Sequence, residues 1–261
     1  METILEVKGL KKYFKVEHLF EKAKAPVKAV DGVSFSLKTG GILAVVGESG
    51  SGKSTMARCI CGLETPDSGE IILKGQVLNY SNKDTRRKVQ YVFQDTFNSL
   101  NPRYRTGEML EEAITFHFGL KGQTLKNETV RALEAVGLQR EIYQKFPHEL
   151  SGGQRQRVGI ARALCLKPEV LVADEPVSSL DVSVQARILK LFSDINKEKN
   201  ISIIFITHDL RVVKSIADEI IVMYNGKIEE RGNTAEVYAK PQSEYTKLLL
   251  KAIPGTQNCF T

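Results

Sequence analysis

The chain has 261 residues, 42% of them hydrophobic and 26% charged, a composition that excludes global disorder and supplies a sizeable core. Its length suits one large domain, or a core carrying an inserted subdomain. The 37 basic and 31 acidic residues leave a net charge of +6, but the bases are dispersed, so the charge describes a mildly positive solvated surface and selects no partner.

In chain order, residues 42–46 read as a buried strand that runs into a glycine-rich turn, with a helix opening near Lys53. Residues 89–93 form a further strand. Between Gln94 and Pro147 strand signals fade, and residues 108–118 and 125–136 carry helical patterns, which places an inserted helical subdomain there. A helix over 155–164 follows, then buried strands over 170–173 and 201–206. Residues 220–224 and 227–230 flank Asn225-Gly226, a pair that readily adopts the positive φ angles of a type I′ hairpin turn. One short helix around 245–252 ends the pattern. Short strands alternating with helices imply a sheet flanked by helices. No run reaches the ~20 apolar residues of a membrane helix, and the acidic start lacks the order of a secretory leader. Cys59, Cys61, Cys165 and Cys259 show neither disulfide-framework nor zinc spacing; Cys59 and Cys61 read as packing residues. A cytosolic chain without its own membrane span is expected.

Three motifs carry chemistry. Gly47-Glu48-Ser49-Gly50-Ser51-Gly52-Lys53-Ser54, followed by Thr55, matches Gly-x4-Gly-Lys-Ser/Thr between strand and helix. Its glycines let successive N–H groups face one concavity, and the helix N-terminus adds partial positive charge. Lys53 then reaches β- and γ-phosphates, and the Ser54 hydroxyl ligates Mg²⁺. Asp174 and Glu175 end an apolar strand at the end where ligands bind in open α/β sheets. Asp174 suits Mg²⁺, and Glu175 suits orienting or deprotonating a water. Leu150-Ser151-Gly152-Gly153-Gln154 opens a helix, with Ser151 as N-cap and the glycine pair as a second anion site. One chain needs only one set of phosphate contacts, so the surplus points to a nucleotide held by another subunit.

In this order the motifs resemble the nucleotide-binding subunits of ATP-binding cassette (ABC) transporters: Walker A at 47–54, signature at 150–154 and Walker B at 170–174. The resemblance covers essentially the whole chain. It implies an α/β fold with a P-loop NTPase (RecA-like) core, an N-terminal antiparallel β subdomain and an inserted α-helical subdomain. The boundaries it suggests are 1–94, 95–150, 155–240 and a short tail over 241–261. It implies ATP and Mg²⁺ as cofactors, with Gln94 as a Q-loop residue near Mg²⁺ and water. His208 resembles the switch histidine at the γ-phosphate, and Tyr13 the aromatic that stacks on adenine. Ser179-Leu180-Asp181 resembles the D-loop of a head-to-tail dimer, in which Ser151, Gly152, Gly153, Gln154 and Asp181 face the ATP of the opposite subunit.

Finer features resemble the F-type ATPase subunit of oligopeptide and dipeptide importers: the stretch from Phe93 to Arg103 with its Ser-Leu-Asn-Pro-Arg, the insertion 16–26 followed by residues 27–35, residues 143–163 running into the signature, residues 175–185 and the ending 243–254. The resemblance implies a second, distinct D-type ATPase subunit, two permeases and an extracytoplasmic binding protein as partners. The chain would then be peripheral to the cytoplasmic face of a bacterial-type membrane, with residues 94–105 meeting the permease. The single Cys259 after Pro254 argues against an iron–sulfur cluster of the kind some relatives carry. Importers of nickel or metal chelates share the same plan and stay open as an alternative. A soluble ABC ATPase acting on nucleic acid is the competing class, disfavoured because the signature follows Walker A by only about a hundred residues, with no heptad run between them.

Overall fold

The computed structural model describes residues 2–15, 26–94, 99–178 and 180–252. The insertion over 16–25, residues 95–98 of the Q-loop stretch, Ser179 and the ending beyond 252 with Cys259 lie outside the described residues. Contacts divide the chain into two compact units, residues 1–78 with 202–261 and residues 79–201.

In the first unit, β1 (Thr3–Phe14), β2 (Val27–Lys38), β4 (Ser68–Leu73) and β5 (Gln76–Val77) form an antiparallel sheet in the order β2-β1-β4-β5. Ile4, Leu5, Val7 and Leu10 of β1 are buried while Lys8 and Lys11 are exposed, the one-sided pattern of such sheets. A second layer runs β10-β9-β3-β8. Here β3 (Ile42–Val46) lies parallel to both β8 (Ser202–Ile206) and β9 (Glu219–Tyr224), and β10 (Lys227–Asn233) returns antiparallel to β9. Every residue of β3 and β8 is buried, which explains why all but Ser202 are apolar: strands covered on both faces have no solvent side to make polar, and Ser202 satisfies its Oγ by accepting the Gly40 N–H at 2.9 Å. Each such aliphatic side chain contributes roughly 1.5–3 kcal/mol. Helix α1 (Lys53–Ile60) follows β3 and buries Met56, Ala57, Cys59 and Ile60. The expected hairpin is present, with Tyr224 paired to Lys227 and φ of 47° at Asn225 and 78° at Gly226. Helices α7 (Leu210–Ile216), α8 (Thr234–Ala239) and α9 (Glu244–Lys251) cover this layer, placing Val213, Val237 and Leu250 against Ala44 and Val46.

In the second unit, β6 (Val89–Val92) and β7 (Val170–Asp174) pair in parallel. Helices α2 (Lys83–Lys88), α3 (Thr106–Phe118), α4 (Gly122–Glu134), α5 (Gly152–Leu164) and α6 (Val182–Lys199) complete it. Helix α3 starts two residues before the expected 108 because Glu108 bonds back to the Arg105 N–H at 2.7 Å, closing the first turn. Helix α4 occupies 122–134 rather than 125–136, and the chain turns at Gly137 with φ 69°. Among the described residues, no helix is long and apolar enough to cross a membrane.

Candidate functional site

The glycine-rich loop joins β3 to α1, and its shape follows from what lies under it. A Cβ on Gly47 would stand 2.2 Å from the Met223 carbonyl oxygen, and one on Gly52 would stand 2.0 Å from the Ala29 oxygen. The loop therefore rests on the backbones of β9 and β2, an approach only glycine permits. Gly50, at φ 82°, has open space on its Cβ side. Gly226 of the hairpin turn donates its N–H to the Ser51 carbonyl at 3.0 Å, while its own carbonyl accepts the Asp31 N–H at 2.8 Å. Lys53 is 5% exposed, and its ammonium donates to the Gly47 carbonyl (2.8 Å), the Glu48 carbonyl (2.7 Å) and Ser51 Oγ (3.2 Å). A buried cation requires such acceptors. The Met56 N–H bonds the Gly52 carbonyl at 2.9 Å, so the amides of residues 53–55 lie at the positive end of α1. Left-handed glycines, an open flank, a helix N-terminus and an ammonium on exchangeable carbonyls together fit a polyphosphate.

Tyr13 stands half-buried on β1 of the same unit. Its hydroxyl donates to Asp31 Oδ1 at 2.5 Å, its N–H donates to Asp67 Oδ2 at 2.6 Å, and Lys28 Nζ sits 5.6 Å from the ring centroid. The bond to Asp31 holds the Tyr13 phenol above its ordinary pKa and the Asp31 carboxyl below its own. No local pattern gives Asp31 a role; cross-strand pairing of β1 with β2 brings it to Tyr13. His208 is exposed just beyond β8. The turn that carries it is set by Thr207, whose N–H bonds the Val45 carbonyl and whose Oγ1 accepts the Asp209 N–H at 3.0 Å.

In the second unit, β7 delivers Asp174 at 2% exposure, with Oδ2 accepting the Tyr91 hydroxyl at 2.5 Å. Tyr91, on the neighbouring β6, had no motif to mark it, since only the parallel register of the two strands brings it there. Glu175 adopts φ 45°, a left-handed conformation uncommon for a residue with a side chain. Strain of this kind costs on the order of 1–3 kcal/mol and clusters at functional positions. It breaks Glu175 from the strand direction, and Gln94 Nε2 meets Glu175 Oε2 at 3.0 Å.

The signature opens α5 as expected. Ser151 Oγ accepts the Gln154 N–H at 3.3 Å, and Gln154 Oε1 accepts the Ser151 N–H at 2.9 Å, a reciprocal cap. Arg155 steadies the approach by donating to the Leu150 carbonyl at 2.6 Å. Gly152 and Gly153 differ in what they face: a Cβ on Gly153 would fall 2.6 Å from Val184 Cγ1, whereas Gly152 has ordinary space beside Leu180. Packing against Val184 thus disfavours a side chain at Gly153 independently of any anion. Asp181, exposed, is the N-cap residue of α6, and its carbonyl accepts the N–H groups of Val184 and Gln185. Gln185 Nε2 ties down the preceding loop through the Val177 and Leu180 carbonyls, both at 3.0 Å.

Cys59, Cys61 and Cys165 are buried. Burial pushes the Cys59 thiol up to about 11 and the Cys165 thiol to about 12, as packing residues require.

A strand–glycine loop–helix unit and a strand ending in paired carboxylates, joined in one chain with a capped Ser-Gly-Gly-Gln helix, define an ATP-binding cassette. The chain belongs to the ABC transporter family, whose sequence profile matches residues 30–178. It is 48% identical over 256 residues to the dipeptide transport ATP-binding protein of Haemophilus influenzae, a match covering 96% of this chain and 78% of that protein. It is also 48% identical over 263 residues to the oligopeptide transport ATP-binding protein of Bacillus subtilis, covering 98% and 80%. Among solved structures it is similar to an ATP-binding cassette determined as a dimer in a post-hydrolysis state with ADP and Pi. That likeness has a TM-score of 0.77 and 28% identity, and covers 88% of this chain and 99% of the other.

Proposed function

We propose that the chain is the ATP-hydrolysing subunit that energises an importer of dipeptides or oligopeptides. Near-full-length similarity to two peptide-transport ATP-binding proteins supports the cargo, and the Gln94–Glu175 contact at 3.0 Å supports the hydrolytic step. In this reading Gly47, Glu48, Ser49, Gly50, Ser51, Gly52, Lys53, Ser54 and Thr55 bind the phosphates, and Lys53 exchanges its loop carbonyls for β- and γ-phosphate oxygens. Tyr13, oriented by Asp31, stacks on adenine. Ser54, Asp174 and Gln94 would hold Mg²⁺, with Tyr91 orienting Asp174, and the ion would supply positive charge against the phosphates. Glu175 orients and deprotonates the attacking water, steadied by Gln94, and His208 senses the γ-phosphate.

The signature residues and Asp181 would face the ATP of a second, distinct cassette in a head-to-tail dimer, so that ATP closes the pair and hydrolysis reopens it. Two permeases would hold the pair at the cytoplasmic face of the membrane, with an extracytoplasmic binding protein delivering cargo. Uptake of a labelled short peptide and of labelled nickel, in cells carrying the wild-type chain or Glu175→Gln, tests the proposal. Loss of peptide uptake alone is expected. Loss of nickel uptake alone would move the cargo to metals, and unchanged uptake of both would remove the importer role.

A further inference from the structure

Strand β10 and helix α9 of the first unit are tied to each other, and α9 reaches the glycine-rich loop. Glu230 of β10, 9% exposed, accepts the N–H of Gln242 through one oxygen (2.8 Å) and that of Ser243 through the other (3.0 Å), gripping the chain where α9 begins. At the far end of α9, Leu250 is sunk in the core beside Ala44 and Val46 of β3, the strand that delivers the loop. Between these anchors Tyr245 packs on Tyr224, ring centroids 4.4 Å apart, and its hydroxyl oxygen accepts the Glu48 N–H at 3.3 Å. That N–H belongs to the Gly47–Glu48 peptide group, whose carbonyl at the opposite edge accepts Lys53 Nζ at 2.8 Å. One peptide plane is therefore held from both sides, by Tyr245 and by Lys53. Hydrogen bonds through a shared peptide polarise and orient one another.

We infer that Tyr245 is a positioning residue of the nucleotide site: it fixes the Gly47–Glu48 peptide plane, sets where the Lys53 ammonium is held, and makes α9 part of the apparatus that determines ATP affinity. The inference rests on the phosphate-loop role proposed for residues 47–54, so Lys53→Ala is measured beside it.

The test is equilibrium binding of MgATP to the purified full chain, with steady-state hydrolysis and melting temperature recorded in parallel. Tyr245→Phe keeps the ring on Tyr224 and removes only the acceptor. Its Kd and KM for ATP should rise roughly three- to tenfold, the size expected for one lost hydrogen bond. Turnover at saturating ATP and the melting temperature should stay near wild type, a split that a purely structural role would not produce. Exchange of the Glu48 amide with solvent should accelerate. If Tyr245→Phe binds ATP like wild type while Lys53→Ala loses affinity, the positioning role is wrong. If Lys53→Ala also binds like wild type, the phosphate-loop reading falls and takes this inference with it.

Discussion

Gln94 Nε2 donates a 3.0 Å hydrogen bond to Glu175 Oε2, joining the residues that follow β6 and β7. The two strands pair in parallel register, so their C-terminal ends lie side by side. The left-handed backbone of Glu175 turns its carboxylate out of the strand direction.

Replacing Glu175 with Gln keeps shape and removes the base. Phosphate release should fall by about 10²- to 10⁴-fold, the usual worth of a general base, while ATP still binds. Turnover near wild type would show that Glu175 is not the base. Gln94→Ala, which leaves the carboxylate in place and removes this one hydrogen bond, should cost less than Glu175→Gln in the same assay.

The hairpin turn under the glycine loop is steric as well as conformational. At Gly226 a Cβ would stand 2.4 Å from the Lys28 carbonyl oxygen at φ 78°, whereas at Gly50, φ 82°, it meets nothing within 4 Å. Gly50→Ala should lose only about 1–2 kcal/mol from the left-handed backbone. Gly226→Ala should lose more, visible as a melting temperature lower than that of Gly50→Ala. Equal melting temperatures would mean that the backbone clash is relieved without cost.

Gly153 and Val184 form a natural double-mutant pair, their prospective contact being 2.6 Å. Gly153→Ala should destabilise the chain, and Val184→Ala should be milder. Together they should be more stable than the sum predicts, with a coupling of about 0.5–3 kcal/mol in chemical denaturation. Strict additivity would count against the packing reason for this glycine.

Thiol chemistry follows from burial. With Cys59 at about 11 and Cys165 at about 12, the reactive thiolate is scarce at neutral pH and grows only as pH rises through those values. Maleimide at pH 7.5 should leave Cys59, Cys61 and Cys165 unmodified in the native chain and modify all three after denaturation. Peptide mass mapping reads the result, and rapid native labelling of Cys59 would contradict it.

Neighbouring residues encode what short-range chemistry can specify. The apolar runs over 42–46, 170–173 and 203–206, the Asn225-Gly226 turn, the Ser151–Gln154 cap and the Gly-Lys-Ser loop are each written in neighbouring residues, because strand burial, turn dihedrals and caps depend on short-range pattern. Boundaries blurred where a single side chain decided them, as at Glu108, whose bond to the Arg105 N–H moves the start of α3. Long-range packing sets the partners: Asp31 on Tyr13, Tyr91 on Asp174, Val184 against Gly153, and Tyr245 on the Glu48 amide. The two members of each pair are far apart in the chain, and no motif sets one against the other. Their positions follow from strand register and helix packing, which arise from burial of the whole core and which no short stretch of sequence specifies.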